Sequence, residues 1–581
     1  MKNKYFIFFL ILAGVVIIGS CKEDFLTVKP AGSLDENVLA SPAGIEGMLI
    51  GAYSQLDGQD GDRAGSGWGS ATTNWVYGSI RGMEANKGTD AGDQPEINPI
   101  QTFNDLATSS YLNSKWRHVY DAISRCNKTI VIINNGLEKQ SITQEQADEW
   151  TKQIRALRGW YHFDAWRMWG GKVPYLDETT DPYAVGNSAD IRPQIIADLT
   201  EGTKLPINMG NIGKFNKTVC QILLAKALMD MNKDYAGALT LLNDAKTNGK
   251  KPNGANIGLA PTYGEIFDIV NRNGIEAIYT VQYSVNDGSG GNNGGNGEVL
   301  NFPYKGGGSP GGCCGFFNPT QEFVNSFRTT AAGLPLLDNS YNLDPVKNDQ
   351  GIAVSAPFTP DAGRLDPRLD WSVGRRGIPY WDWGKHTGSD WIRDQTYSGP
   401  YSPKKQVYKK SQEGIYTEVG NWTSGWTANG YRMIRYADLL LMTAECEIEA
   451  GSLDNARTLV NLVRGRAANP AGFVMDGAVP AANYVINQYP ATGAPFDTKD
   501  NARVALHLER KLELGQEGHR YFDLNRWGVT VAELNRVLTY EKTLPWGTNL
   551  YGAAVVGPED VSFPIPQRQI DLSGGNIVQN R

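Results

Sequence analysis

The chain has 581 residues, 20% of them charged, with 66 glycines, 15 tryptophans and a formal net charge of −7. No basic stripe interrupts the mixture of signs, which argues against a nucleic acid or an anionic membrane surface as partner and favours a neutral or cationic ligand. The length would allow several domains, but no Pro/Ser/Thr-rich linker or charge block divides it, so one large, loop-rich domain is the simpler expectation.

At the N-terminus, Lys2 and Lys4 precede an apolar run over residues 5–18, followed by Gly19, Ser20 and Cys21. A charged start, an apolar stretch too short to span a bilayer comfortably and a small-residue exit describe a secretory signal over residues 1–20 that is cleaved before Cys21. Ile18-Gly19-Ser20-Cys21 resembles a bacterial lipobox with Ile in place of the commoner Leu, which makes Cys21 the lipid acceptor and the first mature residue. The plainer alternative is an ordinary secretory signal with an incidental cysteine. Lys22-Glu23-Asp24 resembles the acidic tag that directs lipoproteins to the cell surface in Bacteroidota-type bacteria. No other segment approaches the ~18 apolar residues of a membrane helix, so the mature chain is expected to hang on a membrane by its lipid without crossing it.

Helical periodicity is strong over residues 112–169, 216–246, 435–467 and 502–527, whereas the segment between residues 249 and 430 is rich in Gly, Pro, Asn and aromatics. Glycine runs at 288–297 and 306–315 cannot hold a helix, and Ile278, Thr280, Val281 and Tyr283 favour a short strand over residues 277–283. Ala444, Gly451, Leu453 and Ala456, and more faintly Tyr235 and Ala238, have the spacing of tetratricopeptide hairpins, in which a small residue admits the partner helix and a glycine turn reverses the chain. The expected fold is mainly α: a tetratricopeptide-like helix-pair scaffold over about residues 35–250 and 430–581, a long loop-rich insertion over about 251–430, and a few short strands.

Cys126, Cys220 and Cys446 sit within apolar helical patterns and read as small buried hydrophobes. No cysteine–histidine spacing matches a zinc site, and no HExxH, GxSxG, phosphate-loop or dinucleotide motif is present. Neither a transition metal nor a cofactor is expected. Asn286, Asp287, Asn292, Asn293, Asn296 and Glu298 offer oxygen ligands, so calcium is conceivable, but their spacing matches no EF-hand and a flexible loop is the favoured reading. Glu509, Glu513 and Glu517 share a helical face, where structural ion pairing with Arg510, Arg520 and Arg526 is a commoner use than acid–base catalysis. Arg155 and Arg158, on a helix with Trp160, Tyr161, Phe163, Trp166 and Trp169, are expected to brace packing through acidic partners and ring faces.

Several stretches then fall into one pattern. Arg155-Ala156-Leu157-Arg158 with Tyr161-His162-Phe163 and Gly171-Lys172-Val173-Pro174 resembles the signature helix of the SusD/RagB family of nutrient-binding outer-membrane lipoproteins. Tyr436-Ala437-Asp438-Leu439-Leu440-Leu441 with Ala444-Glu445, Val460-Asn461 with Val463-Arg464, Glu509-Arg510 through Arg526-Trp527, and Phe563-Pro564-Ile565-Pro566 follow in the family's order. The resemblance covers essentially the whole chain. It implies tetratricopeptide-like helix pairs, a loop-rich ligand face, and docking as a lid on a TonB-dependent outer-membrane barrel.

A carbohydrate site needs exposed aromatic platforms for apolar sugar faces, with Asp, Asn, Arg or Gln to bind the hydroxyls. Aromatics outside the helical core patterns are Trp68, Trp75 and Tyr77 in one loop, Tyr380, Trp381, Trp383 and Trp391 beside Arg375, Arg376, Asp382 and Asp390 in another, and Trp422 with Trp426. Trp75 and Trp383 are the leading candidates, balanced against a role as staples that pin their own loops. The resemblance implies ligand contact by the loop after the first helices and by the insertion, where Trp75 and the region from Cys313 to Trp391 lie. Cys313 and Cys314 could close a vicinal disulfide, although neighbouring Cα atoms ~3.8 Å apart lie below the usual range and would need a distorted or cis peptide. If formed, it would offer a flat sulfur surface beside Phe316 and Phe317. The expected function is noncatalytic glycan capture for a TonB-dependent transporter; a surface glycosidase with two loop-borne carboxylates and a peptide-binding member of the family are the alternatives.

Overall fold

The computed structural model describes residues 36–59, 67–304, 306–420, 423 and 425–581. The signal, Cys21, the acidic tag and Trp422 lie outside the described residues. Eleven helices of eight residues or more carry the described fold: α1 (Pro42–Tyr53), α2 (Ser110–Glu138), α3 (Gln144–Met168), α4 (Arg192–Gly202), α5 (Lys217–Ala227), α6 (Tyr235–Asn248), α7 (Tyr436–Ala450), α8 (Leu453–Ala467), α9 (Lys499–Leu514), α10 (Arg520–Trp527) and α11 (Thr530–Glu541).

The periodic blocks of the sequence are hairpins rather than single helices, and local chemistry places the breaks. The 112–169 block divides where Thr143 accepts from Gln146 N and the Gln146 side chain accepts from Thr143 N, a capping box that starts α3. Asn216, Asp234, Ser452 and Thr498 cap α5, α6, α8 and α9 in the same manner, each side-chain oxygen accepting an N–H of the first turn. Helices pack in succession, α2 on α3, α3 on α4, α4 on α5, α5 on α6, α6 on α7, and α7 on both α8 and α9. Gly202 permits the α3–α4–α5 contact, since a Cβ there would lie 2.6 Å from Cys220 Sγ and 2.7 Å from Ala156 Cβ. Gly451 ends α7 where a Cβ would collide with Glu447, so the chain turns into α8 at the position the repeat spacing marks.

From residue 251 to residue 430 no described helix exceeds five residues. The predicted strand is present as β1 (Ala277–Val281), pairing antiparallel with β2 (Tyr431–Arg435), a partner the sequence did not reveal. Among the described residues, three further two-stranded sheets have strands only two residues long. The insertion is tied to the helical scaffold by a buried charge network at the end of α9. Arg368 reaches Glu509 at 2.7 Å and Glu513 at 3.0 Å, Arg464 meets Glu509 at 2.9 Å, and Arg435 meets Glu513 at 2.6 Å and Glu517 at 2.7 Å. Glu276 bridges Arg435 and Arg466 at 2.8 Å each, and Lys405 closes on Glu517 at 2.8 Å. Glu509 and Glu513 lie on α9, but the helix ends at Leu514, so Glu517 sits in the turn beyond it and not on the shared helical face expected from the spacing; all three are structural ion-pair members with sequence-distant partners. Arg510, Arg520 and Arg526 bind Asp438 and Asp523, Glu533, and Glu445, Asp230 and Asp523 instead. In the first hairpin, Arg155 and Arg158 both clasp Asp198 of α4, and Arg158 also lies over the Tyr175 ring at 5.7 Å.

Candidate functional site

Residues 314–317 form the centre of a small hydrogen-bonded layer on the loop side. Gly315 N donates to Phe302 O at 2.9 Å and Phe316 N to Leu300 O at 3.2 Å on one edge. On the other, Phe317 N donates to Lys87 O at 2.9 Å and Asn86 N to Asn318 O at 2.8 Å. The layer unites chain segments more than 200 residues apart, which is why hydropathy patterning does not expose it.

Trp75 lies beneath this layer. Its ring sits edge-on to Phe316 and Phe317, with centroids 6.4 and 5.7 Å away, its Nε1 donates to Gly297 O at 2.8 Å, and it is 2% exposed. The expectation of an open Trp75 platform is corrected: the ribbon roofs it, and it supports the loops from inside. Phe316 is equally interior, as are Tyr77, Tyr380 and Trp391. Arg376 is a strut whose guanidinium donates to Val354 O at 2.8 Å and Ala356 O at 2.7 Å, so it does not face a ligand.

Above the ribbon, Cys313 and Cys314 are joined in a disulfide across a cis peptide, with Cys313 half-buried and Cys314 buried. The next residue, Gly315, has φ +78°, and a Cβ there would lie 3.3 Å from Tyr304 Cβ and 3.5 Å from Arg393 Cβ. Tyr304 and Arg393 thus stand beside Gly315, the residue that follows the disulfide. Arg393 binds Asp90 at 2.8 Å and Asp93 at 2.5 Å, donates to Thr89 Oγ1 at 3.0 Å and lies 5.5 Å from the Tyr304 ring centre. About a third of the Arg393 side chain remains exposed. The Asp90–Asp93 turn is fixed from within by Lys87, whose Nζ donates to Asp90 O and Asp93 O at 2.7 Å each; burial pushes its ammonium down to about 8.

The remaining predicted aromatics lie around this centre at varying remove. Trp383 is half-buried, donates from Nε1 to Tyr408 O at 2.9 Å and packs on that ring at 5.8 Å, while Tyr408 Oη accepts from Gly311 N at 3.1 Å, two residues before the disulfide. Trp381 is half-buried against Trp371, with ring centres 5.0 Å apart, and Trp68 and Trp426 are half-buried against the main core. Trp383 therefore connects to the Cys313 loop through Tyr408, whereas Trp75 connects to it from below. In the 286–298 loop, Asp287 already accepts from Ser284, Ser289 N and Asn293, and Asn286 donates toward Gly414 O and Thr417 O, so these side chains hold the loop itself. Among the described residues, no three His, Cys, Asp or Glu side chains gather as a metal site.

Sequence reading missed Tyr304, Arg393, Asp90 and Asp93. Nothing marks an arginine and two aspartates separated by 300 residues as partners; the only clue was the polar, glycine-containing turn after Lys87. With the disulfide that precedes Gly315, they bring a sulfur pair, a phenol ring, a guanidinium and carboxylates to one stretch of the loops, groups able to stack on an apolar ring face and to bind hydroxyls.

Comparison with known proteins assigns this helical scaffold with its long loop-rich insertion to a family. The chain belongs to the SusD family, whose model matches residues 275–581. SusD-like protein P25 of Formosa agariphila is 31% identical over 142 residues, 24% of this chain and 22% of that protein's length. SusD-like protein P38 of the same organism is 23% identical over 548 residues, covering 91% of this chain and 92% of its own. Among solved structures, surface glycan-binding protein A from Bacteroides thetaiotaomicron in complex with laminarihexaose matches with a TM-score of 0.63 at 20% identity, over 93% of this chain and 99% of that one. The family and the mainly helical fold expected from the sequence are both borne out.

Proposed function

We propose that this chain is a noncatalytic, cell-surface glycan-binding lipoprotein that captures oligo- or polysaccharide and delivers it to a TonB-dependent outer-membrane barrel. The observation that carries the reading is the ledge of Cys313–Cys314 and Tyr304 with Arg393, Asp90 and Asp93 at its edge, which combines stacking surface with polar groups. The laminarihexaose complex of a protein with the same fold supports a carbohydrate as ligand class. Asp90 and Asp93 are both bound to Arg393, and the nearby Glu298, whose carboxyl burial raises to about 7, is enclosed rather than open to a substrate; this favours binding over hydrolysis. Trp383, Trp381 and Trp68 are proposed as outlying contacts for a longer chain.

The test is calorimetric titration of the mature protein against a glycan panel, with a peptide pool as competitor and product analysis of every bound oligosaccharide. Saturable glycan binding without cleavage is expected. Peptide competition would move the cargo to peptides, and released sugar would make the protein a glycosidase.

No helix among the described residues is long and apolar enough to cross a membrane. The proposed attachment is one acylated cysteine, so Cys21→Ala is expected to abolish incorporation of a lipid probe and release the exported chain into the medium. Unchanged labelling in that variant sinks the anchor. Co-purification of a large barrel in mild detergent is the matching expectation for the transporter.

A further inference from the structure

A pocket of about 410 Å³ opens between α9, α10, α11 and residues 337–341 of the insertion, and it shares no residue with the ledge. That volume is within the range of small-ligand sites. Part of the wall is a ring pair: the His507 imidazole stacks on the half-buried Trp527 indole at 3.6 Å, with 14° between the planes. Burial, reinforced by the Arg520 and Arg526 guanidinium groups, pushes His507 down to about 3, so the stack is uncharged at neutral pH.

The charged side chains of the lining do not balance. Lys511, Arg520 and Arg536 share two carboxylates: Lys511 meets Glu322 at 2.5 Å, Arg520 meets Glu533 at 2.9 Å, and Arg536 meets Glu322 at 2.7 Å and Glu533 at 2.8 Å. Burial works against the Lys511 ammonium, and the Glu322 carboxylate in contact with it keeps the charge in place. Glu541 accepts from Glu322 N at 2.7 Å but adds no third negative charge, because burial raises its carboxyl to about 8. Three cations against two anions leave one positive charge uncompensated. Arg536 is where that charge is accessible: 26% of its side chain is exposed, against 7% for Arg520 and 3% for Lys511. Its bonds to Glu322, Glu533 and Tyr341 all use Nε and Nη2, and Nη1 takes part in none of them.

We infer that this pocket is a second carbohydrate site, selective for an acidic sugar residue, which places its carboxylate on the Nη1 edge of Arg536 and its ring beside the His507–Trp527 pair. A guanidinium edge binds a carboxylate by charge-assisted hydrogen bonds, and an indole accepts the apolar face of a sugar. A neutral sugar leaves the surplus charge unmatched, so the acid is the preferred ligand. The choice of a sugar ring rests on the glycan reading above; the demand for an anion comes from the lining alone.

The experiment is a ligand-observed NMR titration of the mature protein with methyl glucuronide, and with methyl glucoside, which has a hydroxymethyl group in place of the carboxylate. The glucuronide is expected to bind saturably and at least about tenfold more tightly. Arg536→Gln should remove that preference, and Val504→Trp, on the 46% exposed α9 position in the pocket wall, should abolish binding by filling the space. Unfolding is measured on both; Val504→Trp disturbs none of the ion pairs, so it decides the matter if Arg536→Gln does not fold. Absence of saturable glucuronide binding, equal affinity for the two glycosides, or glucuronide binding that survives Val504→Trp would each overturn the site. Tyr304→Ala should leave glucuronide binding intact, and its loss there would put the acidic sugar on the ledge instead. Glucuronide binding that persists while every neutral glycan of the panel fails would strike the ledge and leave this site standing, so the two failures are distinguishable.

Discussion

Glu513→Ala is expected to destabilise the fold by about 3–5 kcal/mol, the range for removing one partner from a buried ion pair. Glu513 is fully buried and faces Arg368, Arg435 and Arg466, so its loss leaves three guanidinium groups short of a counter-charge inside the protein. Equilibrium unfolding in denaturant measures the effect, and a loss below about 1 kcal/mol would show that the network is dispensable. The same network sets an acid limit. Burial alone would raise the Glu513 and Glu517 carboxyls, but the facing guanidinium and ammonium groups more than reverse it, holding Glu513 well below the usual range and bringing Glu517 to about 2. A carboxyl depressed on folding stabilises fully above its unfolded value near 4.5 and ceases to do so as pH falls through its folded value. Stability should therefore decline as pH drops from about 4.5 toward 2, and Glu517→Gln, although less stable at neutral pH, should show a shallower decline across that window. Parallel profiles would rule out Glu517 as a source of the acid sensitivity.

The helical half of this protein was legible because its information is local. Capping oxygens at Thr143, Asn216, Asp234, Ser452 and Thr498 and the glycine at 451 act within a few residues of themselves, so period and punctuation predict the hairpins. The insertion was legible only as an absence of helix. Its order comes from Arg368, Lys405 and Glu276 entering the α9 network and from single backbone bridges such as Gly88 to Phe316, pairings that no window of sequence contains. The candidate site meets the same limit. Residue type draws attention to Cys313 and its neighbourhood, but type cannot tell a ring that faces solvent from one that other residues cover, and Trp75, one of the two leading candidates, is a covered one.

That difference makes the decisive binding experiment a comparison between Tyr304 and Trp75. Tyr304→Ala is expected to weaken the best glycan from the panel by roughly tenfold or more, corresponding to about 1–3 kcal/mol for a stacking hot spot, with little change in unfolding. Its ring is half-buried beside Gly315 and carries the Arg393 guanidinium 5.5 Å from its centre, so truncation removes ledge surface while the ribbon hydrogen bonds, all from backbone, persist. Arg393→Ala should weaken binding too, and should also loosen the Asp90–Asp93 turn that it holds. Trp75→Ala should behave differently: deleting a buried tryptophan leaves a cavity under the ribbon and is expected to cost about 3–5 kcal/mol of stability, with affinity falling because the platform loses its support. Trp75→Phe, which keeps a ring under Phe316 and Phe317 but not the N–H donated to Gly297 O, should recover most of the stability and with it the affinity. Titration and unfolding measured on the same four preparations separate the roles. If Tyr304→Ala binds as tightly as the parent chain, the ledge is not the glycan platform and the half-buried Trp383 and Trp68 become the next rings to test; if Trp75→Ala loses affinity at full stability, the ring contacts sugar after all, through an opening of the ribbon that covers it.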